Sequence, residues 1–123
     1  MNSVRKMAIA ATAALMLLGI GLAQAADRTF TGEIMDSSCA SMGSHAGMQK
    51  GKDATDPAVK KECTQACVKM GAKYVLYNAT RKMTYKLDDQ EKPADFAGQK
   101  VKVTGTYDAA TKTIHVTDIQ PAT

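Results

Sequence analysis

Residues 100–107 read Lys100-Val101-Lys102-Val103-Thr104-Gly105-Thr106-Tyr107, apolar or small at every odd position and lysine or threonine at every even one. That two-residue period is the mark of a half-buried β-strand, one face on a core and one in water. Working outward, Met83, Tyr85 and Leu87 alternate with Thr84 and Lys86, and Ile114 and Val116 alternate with Thr113, His115 and Thr117. Ile119 falls out of step with Val116, which predicts a bulge or strand end between them. The apolar run Tyr74-Val75-Leu76-Tyr77 ends at the turn-like Asn78-Ala79-Thr80-Arg81, and Phe30, Gly32 and Ile34 share one face of a first strand. Phe96-Ala97-Gly98 reads as a plug leading into the strand at 100.

Between the first strand and the rest lies a different kind of sequence. Residues 36–55 are rich in Ser, Gly, Met and Lys, with no apolar period, and read as a long loop of the sort that is functional or disordered. Asp56-Pro57 then supplies a capping carboxylate and a first-turn proline. A helix is predicted over 57–70, with Val59, Cys63, Ala66, Cys67 and Met70 on its inward stripe and Gly71 as its stop. Five short strands and one helix after a long loop make a mainly β, α+β chain, and short antiparallel strands of this kind suggest a small, partly open barrel.

The N-terminus reads as a targeting segment. Arg5 and Lys6 precede an apolar run at 8–22, followed by the small-x-small pattern Ala23-Gln24-Ala25. A Sec-type signal peptide over 1–25, cleaved after Ala25, is expected. The run is shorter than the ~20 residues of a spanning helix, so no stable membrane insertion is expected after cleavage. Neither a lipid-attachment cysteine nor a twin-arginine pair stands near it. The expected location is periplasmic or secreted, with residues 26–123 forming one domain. Removing Arg5 and Lys6 from 16 basic residues leaves 14 against 12 acids, a net charge of +2. Without tryptophan or interleaved surface aromatics, no nucleic-acid partner is expected.

The chemistry gathers between residues 39 and 67, where all three cysteines lie. Cys39 and His45 form a C-x5-H arm in the loop, and Cys63 and Cys67 a C-x3-C arm on the helix. Three thiolates and an imidazole satisfy tetrahedral zinc, while the neighbouring Met42 and Met48 are soft extra donors that would favour copper. Three functions are open. One is an exported binding module with a Cys39, His45, Cys63, Cys67 metal site, holding zinc or copper. The second is a domain stapled by a disulfide from Cys39 to Cys63 or Cys67, without metal or catalysis, its spare thiol free to meet a partner. The third is a thiol redox protein. Residues four apart on a helix have Cβ atoms ~5–6 Å apart, too far for a relaxed Cys63–Cys67 bridge. Redox cysteines sit at helix N-termini, which neither of these does.

No catalytic residue is assigned. Glu33, Asp36 and His45 could form an acid–base group, but nothing in the sequence fixes their geometry. His115 reads as a solvated strand histidine, and Lys82, Lys86, Lys100 and Lys102 as outward residues that keep edges soluble.

Asp36-Ser37-Ser38-Cys39, His45, the run from Cys63 to Val75 and the run from Phe96 to Gly105 together resemble a family of small exported, functionally uncharacterised bacterial domains. The resemblance implies an OB-like five-stranded barrel in which these cysteines and the histidine are a hallmark set. It implies no activity. Ala40 stands where the resemblance leads one to expect glycine.

Overall fold

A computed structural model describes residues 25–122, so the expected export segment lies outside the described residues except for Ala25. The strands are β1 (Arg28–Asp36), β2 (Tyr74–Asn78), β3 (Met83–Leu87), β4 (Lys100–Asp108) and β5 (Thr113–Pro121). Two helices, α1 (Ser37–Met42) and α2 (Pro57–Lys69), lie between β1 and β2.

The strands close into a barrel in the order β1-β2-β3-β5-β4, with β4 returning to β1. This is the OB-like, mainly β architecture expected. The expectation of antiparallel strands needs one correction: β3 and β5 run parallel, joined through Lys86 opposite Thr113 and Leu87 opposite Ile114. That short seam closes the barrel, where the strand pattern alone suggests a partly open one. β4 and β5 make the longest pairing, and the register slips where Gly105 faces Val116 but Thr104 faces Asp118. Thr117 is the extra residue, so the anticipated bulge lies between Val116 and Ile119 and returns Ile119 to the core.

Phe30, Ile34, Tyr74, Leu76, Tyr85, Leu87, Val101, Val103, Ile114 and Ile119 fill the barrel. Phe30, Tyr85 and Tyr107 pack as a triangle with ring centroids 5.3–5.6 Å apart, in the tilted and edge-on arrangements that aromatic quadrupoles favour.

A second cluster of Met35, Cys39, Ala40, Cys63, Cys67 and Val75 lies outside the barrel wall. It explains why the neighbouring strand ends lose their polar alternation. Ile34 and Leu76 are cross-strand partners facing the barrel, whereas the next pair, Met35 and Val75, faces the insertion between β1 and β2. A strand covered on both faces is apolar on both.

The insertion departs from the expected loop. Residues 36–55 include α1 and a 3-10 turn, Ala46–Met48. Asp36 caps α1, its Oδ2 accepting from Cys39 N–H at 2.9 Å, and Gly43 ends it at φ 74°, where a side chain would be strained. α2 starts and stops close to expectation, with Asp56 accepting from Ala58 N–H and Met70 as the C-terminal cap. Its inward stripe is different. Cys63, Thr64 and Cys67 are buried with Val68 behind them, while Ala66 is exposed and Met70 is 73% exposed. The helix is turned so that residues 63–64 and 67–68 face the barrel, and its last turn runs past the barrel's edge.

Candidate metal centre

The site is built where β1 ends. Because Asp36 is at once the last residue of β1 and the cap of α1, its carboxylate is fixed at the junction. One turn on, α1 delivers Cys39 into the same space. α2 crosses above and supplies Cys63 from its middle, and the 3-10 turn is preceded by His45. In residues 41–56, His45 alone is buried, and half-buried Gln49 is the loop's other side chain beside Cys63.

The four side chains converge. One donor atom from each of Asp36, Cys39, His45 and Cys63 lies within 4.8 Å of all the others, and the residues are 0%, 0%, 2% and 1% exposed. The Cys39 and Cys63 sulfurs are 3.7 Å apart. Two polar atoms in the group, Asp36 Oδ1 and His45 Nδ1, are buried and without a hydrogen-bond partner. Thr64 Oγ1, one residue beyond Cys63, is a third such atom. Buried polar atoms without partners are costly and scarce, and two donors of lone pairs facing two sulfurs form a group that suits a cation.

The imidazole is oriented from behind. His45 Nε2 lies 2.9 Å from Glu33 Oε1, and the other Glu33 oxygen is 3.1 Å from Lys60 Nζ on α2. Burial pushes the Glu33 carboxyl up, but the His45 and Lys60 contacts outweigh it and hold it below its ordinary value. An ionised carboxylate only accepts, so Nε2 carries a hydrogen, and in the neutral ring the lone pair is then at Nδ1. A carboxylate gripping the far nitrogen is the usual second-layer support of a metal-binding histidine.

The same contacts set the acidities. Glu33 raises the affinity of His45 for a proton, against the opposing effect of burial, with Cys63 adding to the rise. For Cys63, burial pushes up, yet Gln49, His45 and Cys39 beside the sulfur together hold the thiol below its ordinary value. Cys39 is pushed up by burial and by the Asp36 carboxylate. Burial and the Asp36 charge likewise raise Cys67. The two shifts move His45 and Cys63 toward their charged forms relative to the free side chains, and binding of a cation would release the protons that the pair holds.

Cys39, His45 and Cys63 are brought together. Cys67 is buried, 5% exposed, in the surrounding apolar cluster beside Cys63 and Asp36, but is not in the mutual group. Asp36, considered from sequence only as an acid–base residue, takes the fourth place. The signal was present, since an aspartate three residues before a cysteine is a helix cap that brings carboxylate and thiol to one end. Met42 and Met48 are 53% and 48% exposed, outside the group. All three cysteines are free, so the anticipated disulfide from Cys39 to Cys63 or Cys67 is not formed. His115 is exposed as expected, with Nδ1 3.1 Å from Asp88 Oδ2.

No curated protein and no solved structure matches the chain. A family model described as a protein of unknown function (DUF5818) matches residues 69–122, which is β2 to β5 with the turn before them. The likeness to an uncharacterised family thus lies in the barrel, and Asp36, Cys39, His45, Cys63 and Cys67 all fall outside the matched segment.

Proposed function

We propose that this protein is a small, non-enzymatic metal-binding module that holds one zinc-like divalent ion between Asp36 Oδ1, Cys39 Sγ, His45 Nδ1 and Cys63 Sγ. The observation that carries this reading is the pair of unpartnered buried atoms, His45 Nδ1 and Asp36 Oδ1, beside two sulfurs 3.7 Å apart. Two thiolates at the usual zinc–sulfur distance of ~2.3 Å, at a tetrahedral angle, stand ~3.8 Å apart. The sulfurs already have that spacing. A disulfide would need them at ~2.05 Å.

The donor set favours zinc over copper. A carboxylate and an imidazole with two thiolates suit a borderline divalent ion, whereas monovalent copper prefers sulfur throughout. The thioethers that would complete such a set, Met42 and Met48, are on the surface. Four protein donors with almost no solvent exposure leave no open position for a substrate, the pattern of structural rather than catalytic zinc. Storage or architectural binding is therefore the role assigned. The basic, apolar and small-x-small pattern of residues 1–25 supports placing the module in the periplasm or outside the cell.

Elemental analysis of the purified chain, with cobalt(II) substitution, tests the reading. One ion per chain and the intense visible absorption of tetrahedral cobalt with thiolate charge transfer are expected, both lost in H45A and C63S. No bound metal with three freely alkylated thiols would overturn it.

A further inference from the structure

The two readings that the sequence left open, metal and disulfide, meet on the same two atoms. Cys39 and Cys63 come from different helices, are 0% and 1% exposed, and have sulfurs in contact at 3.7 Å. Cys63 and Cys67, by contrast, share one helix at a spacing that resists bridging. Cys67 lies outside the mutual donor group. Resting on the metal-binding reading above, we infer that the Cys39–Cys63 pair makes the site a peroxide-responsive switch: its reduced form holds the metal, and its oxidised form is a Cys39–Cys63 disulfide that expels it, with Cys67 remaining a thiol throughout.

The chemistry balances. Hydrogen peroxide breaks its O–O bond on one sulfur of the pair, which takes an oxygen as sulfenic acid while the first water leaves. The second sulfur attacks it, the S–S bond forms, and the second water leaves. Two electrons pass from two thiolates to peroxide, two protons come from solvent, and the metal departs with its charge unchanged.

Burial selects the oxidant. At 0% and 1% exposure neither sulfur offers a glutathione-sized disulfide an in-line approach, and an oxidant as small as peroxide needs the least opening of the site to reach them. Burial also ties the switch to the loop. In residues 41–56 only His45 is buried, so the loop's buried hold on the barrel is the donor group and the Glu33 contact, beside half-buried Gln49 and the exposed Lys52–Glu62 pair. Drawing the sulfurs from 3.7 Å to ~2.05 Å breaks up the donor set and leaves Glu33 as the imidazole's remaining anchor.

Zinc-loaded full-length chain is treated with hydrogen peroxide or with oxidised glutathione. Released zinc is followed by a chromophoric indicator, thiols are counted, and peptides are mapped without reduction. Peroxide should release one zinc as two of the three thiols disappear, leaving a chain ~2 Da lighter that recovers zinc after dithiothreitol. Oxidised glutathione should act at least tenfold more slowly. C67S should keep the response and C63S should form no bridge. The loop should become cleavable by trypsin after Lys50 and Lys52 only in the oxidised form. Zinc retained while thiols are consumed, or a bridge involving Cys67, overturns the switch and leaves the metal site standing. A chain that never takes up zinc overturns both.

Discussion

Gly98 lies directly beneath Lys61: a Cβ placed on Gly98 would come within 2.6 Å of the Lys61 nitrogen and 2.7 Å of the Lys60 carbonyl carbon. Its φ of 75° is in the left-handed region, and its own N–H donates to Ile34 O at 2.8 Å. The link between the barrel's fourth strand and α2 is thus backbone against backbone, and it sets the height at which Cys63 enters the site. G98A should lower stability by about 2–4 kcal/mol, combining left-handed strain with overpacking. Chemical denaturation measures it, and an unchanged midpoint would show that α2 can lift without cost.

Glu33 grips His45 and Lys60 together. E33A should weaken zinc affinity by about 10–100-fold, the usual effect of losing the support behind a ligating histidine. K60A leaves the imidazole contact in place and should cost several-fold less. Competition with a chelator of known affinity distinguishes them; equal losses would mean that charge, rather than the hold on the ring, is what Glu33 supplies.

Asp36 has two oxygens with separate tasks. Oδ2 caps α1 at Cys39 N–H, and Oδ1 is buried without a hydrogen-bond partner, the oxygen proposed to face the metal. D36A should destabilise the metal-free chain by about 1 kcal/mol through the lost cap. D36S can restore a cap but not the second oxygen, so it should recover most of that stability while zinc affinity stays low. Melting with and without zinc separates the two tasks, and equal recovery of both would remove Asp36 from the donor set.

The parallel seam carries its own pH dependence. Asp88, just beyond β3, accepts from Val116 N–H at 2.8 Å and faces His115. Burial is the largest single effect and raises its carboxyl, but the Val116 N–H, His115 and the Asp89 N–H together prevail and hold it below its ordinary value of 3.8. A depressed carboxyl contributes stability above its unfolded pKa, and that contribution is lost as pH falls through the folded one. Stability in D88A should therefore fall by about 1 kcal/mol near neutrality, and the difference from the parent chain should shrink as pH falls below the ordinary carboxyl value of 3.8. A difference unchanged between neutrality and acid would assign Asp88 a packing role instead.

The barrel was legible because its period is local. The alternation from Val101 to Tyr107 and the misfit of Ile119 each depend on near neighbours in sequence, and the bulge followed from counting alone. The β3–β5 seam was not legible, since parallel pairing across 26 or more residues leaves no local trace. α1 was hidden for a different reason. Ser37, Ser38, Cys39, Ala40, Ser41 and Met42 bury only Cys39 and Ala40, too few to form an apolar stripe, and the helix exists because Asp36 caps it and the barrel wall receives it. Three of the anticipated donors, Cys39, His45 and Cys63, were recognisable by residue type. The C-x3-C spacing places Cys67 on the same face of α2 as Cys63. Spacing along a helix fixes a face but not which rung reaches a given point, and the mutual group contains Cys63 and not Cys67.

Ser37 and Lys73 bond to each other twice, Ser37 N–H to the Lys73 carbonyl at 2.8 Å and Lys73 N–H to Ser37 Oγ at 3.1 Å. The chain thus leaves the barrel and re-enters it through one doorway, and everything carried between those two residues is a cassette hung on a fixed hinge pin. Replacing the cassette with a tight turn would leave β1 and β2 already in register through Asp36 opposite Tyr74. The strands form a socket, and what is plugged into it could be exchanged without rewriting the barrel.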